Sequence, residues 1–292
     1  MSLVEQHGRV NDKLLLGIGL TVLAGAMLAS MDAVGKHLSQ YYPVLQVVWA
    51  RYFFHAVLVL IPLCARYGTG FVHTRHPWLQ GMRAATLIAV TGLLYLALIH
   101  VPLADATAIM FFAPVLVTVL SAIFLAERIT AVRVGAVLAG FVGVLLIVRP
   151  GLDTSWYMLL PLASACMLSV YLLLTRALSG RDSTRTTLFY TTAAGALGLT
   201  LLLPLIWQMP VLVHWPLMLL MGALGALGHL CIISAFAFAP ASVLSPFLYA
   251  QIVAAMIISV TVFADPLTAP MLAGTLLLVA SGLTVWWREN RR

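Results

Sequence analysis

Ala126-Glu127-Arg128-Ile129-Thr130 reads without a gap against Ala264-Asp265-Pro266-Leu267-Thr268, 138 positions later. The same shift lays Pro102 on Pro240 and Ser121 on Ser259. Identity is low between these anchors, but the apolar runs stay in phase. Each copy holds five runs that read as membrane spans. Five is odd, so the second copy must enter the bilayer upside down. Inverted repeats of this kind are a signature of secondary transporters.

Composition supports a bilayer as the solvent. Hydrophobic residues make up 62% of the 292 and charged residues only 9%, against about 45–50% and about 25% in a soluble domain. Mean hydropathy is +1.05. Such a chain cannot cover its own surface in water. A span takes about 20 apolar residues, so ten spans leave only short connections and no room for a separate soluble domain. The net charge of +7 reads as topological anchors beside anionic headgroups, not as a nucleic-acid surface. Cys64, Cys166 and Cys231 lie in apolar runs at unrelated spacings, which gives neither a disulfide framework nor a zinc pattern.

The apolar runs fall at about 14–38, 45–65, 78–99, 104–125, 132–148, 156–175, 187–207, 215–238, 242–263 and 269–287. The first resembles a signal peptide at Leu28-Ala29-Ser30, but its core is too long, and Ala24, Ala26 and Ser30 match Ala163, Ala165 and Ser169 of the sixth. With the N-terminus inside, the cytoplasmic segments collect Arg9, Lys13, Arg66, Arg75, Arg83, Arg128, Arg133, Arg176, Arg181, Arg185, Arg288, Arg291 and Arg292, and the external segments only Arg149. That bias puts both termini in the cytoplasm. The tryptophans sit near run ends, as an interfacial aromatic belt predicts.

From Pro102 to Gly143 the chain resembles the EamA module of the drug/metabolite transporter superfamily. The likeness rests on Pro102, Ala104 and Ala106 opening a helix, Pro114 within it, Glu127 at its end, and Gly135, Gly140 and Gly143 in the next. The second copy departs from it: Asp265 replaces the glutamate, Ile252 the proline, and Pro246 supplies a proline elsewhere. The whole chain further resembles the YddG-type amino-acid exporters. The resemblance implies an all-α integral membrane protein of ten transmembrane helices, in two inverted five-helix repeats at 14–149 and 155–288. A central cavity would lie among helices one to four and six to nine. It implies a bacterial inner-membrane exporter of amino acids, aromatic ones included, and of some amphipathic cations. No cofactor or metal is expected, and one chain holds both orientations, so a monomer suffices.

Three groups of residues are candidates for transport. Asp32 and Lys36 are one turn apart and can partly neutralise each other; with Arg51 they form an outer polar cluster. Asp32 is 18 residues from Leu14, about 27 Å along a helix, near the external end. This cluster reads either as a gate and first contact for zwitterions or as snorkelling side chains in a static pair. Met27, Met31, Phe111, Phe112, Tyr171, His229, Tyr249 and Gln251 are the candidate cavity lining; interhelical packing is the alternative for each. Pro114 and Pro246 free the carbonyls of Met110 and Ser242 and read as hinges or as static kinks. The small residues Gly135, Ala139, Gly140, Gly143, Ala273, Gly274, Ser281 and Gly282 favour close helix packing over a dimer interface.

No midplane carboxylate pair is present, which favours facilitated or weakly coupled transport. An intramembrane enzyme is the rival class, but no serine–histidine, paired-aspartate or His-Glu-x-x-His arrangement occurs. A scaffold without transport leaves the inverted symmetry unexplained. Nucleotide derivatives and amphipathic drugs remain alternative substrates.

Overall fold

The computed structural model describes residues 3–125, 131–150, 155–178 and 181–289, so the anchor at 126–130 lies outside the described residues. Twelve α-helices are described: α1 (Leu3–Leu38), α2 (Val44–Tyr67), α3 (Pro77–Leu98), α4 (Leu103–Met110), α5 (Ala113–Leu125), α6 (Ala131–Val148), α7 (Leu159–Leu178), α8 (Thr184–Leu202), α9 (His214–Phe238), α10 (Ala241–Leu244), α11 (Ala250–Thr261) and α12 (Ala269–Glu289). No strand occurs among the described residues.

Local chemistry sets several boundaries. Pro43 and Pro102 immediately precede α2 and α4, and Pro77 opens α3, where a missing backbone N–H costs nothing. Gly68 ends α2 at a φ of 65°, a left-handed turn that side chains with a Cβ resist. The Ser183 hydroxyl accepts from the Thr186 amide at 3.1 Å and caps α8.

Seven helices are long and apolar enough to cross a membrane. The remaining three apolar runs are shorter: Leu103–Val117, Val134–Val148 and Ser245–Thr261. Two of them are interrupted near the expected prolines. The α4 helix stops at Met110, and α5 restarts at Ala113, leaving Pro114 in the first turn, where its missing N–H matters least. Pro246 lies in a 3-10 segment, Ser245–Tyr249, between α10 and α11. The sequence reads each place as one span with a hinge or a kink; the structure divides the helix there, because proline cannot donate into the ladder.

The helices close into a ring. The α1 helix lies on α9 and α11; α9 also meets α2, which meets α8; α8 meets α3, and α3 meets α7. The α7 helix then meets α4 and α5, and α4 meets α11. Outside this ring α6 and α12 pack on each other. Their small residues explain how: a Cβ added at Gly143 would sit 2.8 Å from the Gly274 carbonyl oxygen, so the two backbones are nearly in contact. Outward side chains such as Leu138, Leu201 and Leu276 are more than half exposed. Apolar exposure on this scale is a liability in water and neutral against lipid tails.

Candidate functional site

The buried polar side chains fall in three tiers. At the end of the bundle that holds the α1–α2 turn, the Lys36 ammonium donates to Asp265 Oδ2 at 2.8 Å and to the Val101 carbonyl at 3.4 Å. It also lies 4.5 Å over the Phe263 ring. The Ser259 hydroxyl donates to the same carboxylate at 3.0 Å. Nearby, Tyr42 Oη and His214 Nδ1 are 2.7 Å apart. The Gln46 amide donates to the Gln208 carbonyl at 2.7 Å and accepts from the Gln208 amide at 2.9 Å. Among the described residues this end carries the Lys36–Asp265 ion pair and a collar of side-chain hydrogen bonds.

The middle tier holds Asp32 and Arg51, 3.9 Å apart. Here the expected Asp32–Lys36 neutralisation is corrected: each has its own partner, Arg51 for Asp32 and Asp265 for Lys36. The reason is tertiary, because Asp265 arrives from 229 residues away and comes closer than the neighbour one turn along. The Arg51 guanidinium lies 5.8 Å from the rings of both Tyr52 and Tyr95, and Tyr52 Oη lies 3.1 Å from Thr91 Oγ1.

Two concave spaces adjoin this tier. A cavity of about 160 Å³ is lined by Asp32, Thr107, Met110, Phe111, Leu168 and Gln251 among others. A larger groove of about 530 Å³ follows α2 from His55 to Arg66 and is walled by α9, including His229. The His55 and His229 rings are 5.6 Å apart. Arg51, His55 and Leu58 lie on one face of α2 by their i, i+4, i+7 spacing, so the groove continues the face that carries Arg51.

The cavity-lining candidates disperse. Gln251 faces the small cavity and His229 the groove. Tyr249 packs against Phe111, ring centroids 5.2 Å apart, so it backs the cavity wall. Met31 and Phe112 are buried, the first against Gly225 and the second against Gly140; the neighbouring Phe111 points into the cavity instead. Met27 is half-buried beside Gly228.

Tyr171 belongs to the third tier, at the opposite end, and its partner was missed by sequence reasoning. Arg83, counted as a topological anchor, is 5% exposed. Its guanidinium donates to Thr175 Oγ1 at 2.6 Å, to Tyr171 Oη at 2.6 Å, to Thr191 Oγ1 and to the Thr187 carbonyl at 3.4 Å. It also covers the Tyr171 ring at 4.5 Å. These contacts tie α3 to α7 and α8. The available signal was the threonine run at 184, 186, 187, 191 and 192, an excess of hydroxyls on an otherwise apolar helix. Just beyond, outside the spans, Asp182 accepts from Thr74 at 2.5 Å and from Gln80 at 2.9 Å. Those two bonds hold its carboxyl below the ordinary range.

Among the described residues no group of three His, Cys, Asp or Glu is placed to hold a metal ion. The arrangement offers polar clusters at both ends, a charged middle and adjoining cavities.

Comparison with known proteins adds to this geometry. The description of the EamA-like transporter family matches residues 15–149. The chain is similar to a pseudopaline exporter, CntI, of Pseudomonas aeruginosa, 31% identical over 84% of this chain and 86% of that one. It is 25% identical to an S-adenosylmethionine uptake transporter of Rickettsia bellii, over 94% and 95%. It is 28% identical to a riboflavin transporter of Brucella anthropi, over 80% and 85%. A solved crystal structure superposes with a TM-score of 0.64 at 19% identity, over 96% of this chain and 98% of that one, a likeness of fold alone.

Proposed function

The chain belongs to the EamA-like transporter family, and from that premise we propose that it exports small amphipathic metabolites, amino acids among them, by alternating access. It is a multi-pass membrane transporter, and its named relatives are carriers, not enzymes. In this reading two five-helix halves, 14–149 and 155–288, are oppositely inserted in a bacterial inner membrane, with both termini cytoplasmic. Ten spans result when α4 with α5, and α10 with α11, are each counted once.

The interchange of helix contacts carries the reading. The α1 helix packs on α9 as α7 packs on α3, and α9 meets α2 as α3 meets α8. Likewise α1 lies on α11, and α7 on α4 and α5. Pairs α2 with α8, α4 with α11 and α6 with α12 map onto themselves. A two-fold axis in the membrane plane generates such a list, and inverted-repeat carriers bind substrate where it crosses. The breaks beside Pro114 and Pro246 sit in corresponding helices and serve as bending points. Opening the Lys36–Asp265 end while the Arg83 end stays shut, and the reverse, constitutes the cycle. The exporter name of the 31% identical relative supports the outward direction.

Counterflow in proteoliposomes tests this. With the purified chain, labelled aromatic amino acids are expected to exchange against an internal pool of the same compound without product formation. S-adenosylmethionine and riboflavin serve as comparison solutes. Exchange of those two but not of any amino acid would overturn the substrate class, and no exchange of any solute would overturn the carrier reading. A steep response to an imposed pH gradient would contradict weak coupling.

A further inference from the structure

Among the described residues, Asp32 carries a carboxylate oxygen that is both shut from solvent and without a hydrogen bond. Its side chain is 8% exposed, yet Oδ1 has no hydrogen-bond partner among the described residues, because Arg51 stops 3.9 Å away. A carboxylate can only accept, and an acceptor left dry at depth carries a free-energy cost that proteins rarely leave unanswered. Asp265 and Asp182, by contrast, each accept two side-chain bonds.

Asp32, whose unpartnered Oδ1 is the oxygen nearest Arg51, is among the residues lining the cavity of about 160 Å³. An engineered apolar cavity of about 150 Å³ takes a benzene ring, so the space suits a body of that size. Phe111, Leu168 and Leu172 supply apolar wall, and Thr107 and Gln251 the other polar edges. Tyr249 packs behind Phe111 at a tilt, ring centroids 5.2 Å apart, and supports the ring whose face a cation would meet.

We propose that Asp32 is the ammonium-recognising group of the transport site, selecting ligands in which a protonated amine adjoins an apolar or aromatic body. This rests on the carrier reading above and deepens it. Asp32 thereby moves from the outer polar cluster into the substrate site. Arg51 stands behind the carboxylate as its resident partner, and the amine completes the shell that Arg51 leaves open.

The experiment uses the full chain in lipid nanodiscs, with three probes that share one ring: phenethylamine, phenylalanine and 3-phenylpropionate. Phenethylamine and phenylalanine are expected to raise the melting temperature, and 3-phenylpropionate to leave it unchanged. Asp32→Asn, which keeps the size and removes the charge, is expected to weaken phenethylamine binding at least tenfold. Equal binding of 3-phenylpropionate to the wild type, or wild-type affinity in Asp32→Asn, would overturn the assignment. Should Asp32→Asn not fold, Leu168→Trp fills the cavity from α7 and leaves the carboxylate's charge in place. Loss of phenethylamine binding there supports the site, and retention overturns it. Counterflow of riboflavin by a wild-type chain that ignores both amines would defeat this inference and leave the carrier reading standing.

Discussion

At one end of the bundle Lys36 and Asp265 meet at 2.8 Å, cation to carboxylate; at the other, Arg83 meets hydroxyls, a carbonyl and a ring face. The first closure concentrates its strength in one charge pair, reinforced by Ser259. The second distributes it over α3, α7 and α8 in bonds that are individually weak. A concentrated closure fails when one partner leaves, whereas a distributed one loosens by degrees. In the alternating-access cycle proposed above, such a difference would set which end yields first.

Three changes break or sharpen that comparison. The largest effect is expected from Arg83→Leu, which removes four hydrogen bonds and the ring contact. At roughly 0.6 kcal/mol per side-chain bond in a membrane protein, the loss is about 2 kcal/mol, read as a lower melting temperature. Cysteine accessibility at the Arg83 end should rise in the same variant. Stability equal to wild type would show the tier to be ornamental.

A smaller effect is expected at the ion pair. The Asp265 side chain is 23% exposed and Lys36 11%, so the 3–5 kcal/mol cost of breaking a fully buried pair is discounted toward the surface value of about 1 kcal/mol or less. Lys36→Met and Asp265→Asn, combined in a double-mutant cycle, should couple by about 1 kcal/mol. Strict additivity would mean that the pair closes nothing.

The smallest effect concerns acid. Asp182 is held below its unfolded value by Thr74 and Gln80, so its stabilisation is complete above an unfolded pKa of about 3.9 and fades as pH falls through the folded one. Asp182→Asn should remove that pH dependence and lower the melting temperature at pH 7 slightly, toward the wild type's acid-side value. An Asp182→Asn variant that still loses stability below pH 4 in the wild-type manner would assign the loss elsewhere.

Much of the architecture was written in the apolar periodicity. The runs at 45–65 and 215–238 became α2 and α9 with ends shifted by only one or two residues, since hydrophobic length and flanking prolines act locally. The site was harder. Asp265 stood out as a repeat anchor, but nothing along the chain joins it to Lys36, because that meeting depends on how α1 and α11 pack. Arg83 looked like a headgroup anchor, and only the hydroxyls that α7 and α8 bring across make burial of its charge tolerable. Phe111 and Phe112 are adjacent, and which one faces a cavity depends on where α4 breaks. Side-chain chemistry was legible, while the pairing of distant residues was not.

The contact between Gly143 and Gly274 bears on how the molecule can flex. With no side chain between them, α6 and α12 are riveted through their backbones, so neither can slide without dragging its partner. In the proposed cycle, motion would then fall to the ring of eight spans, with this seam as its keel. A methyl group at Gly143 would prise the seam apart from within.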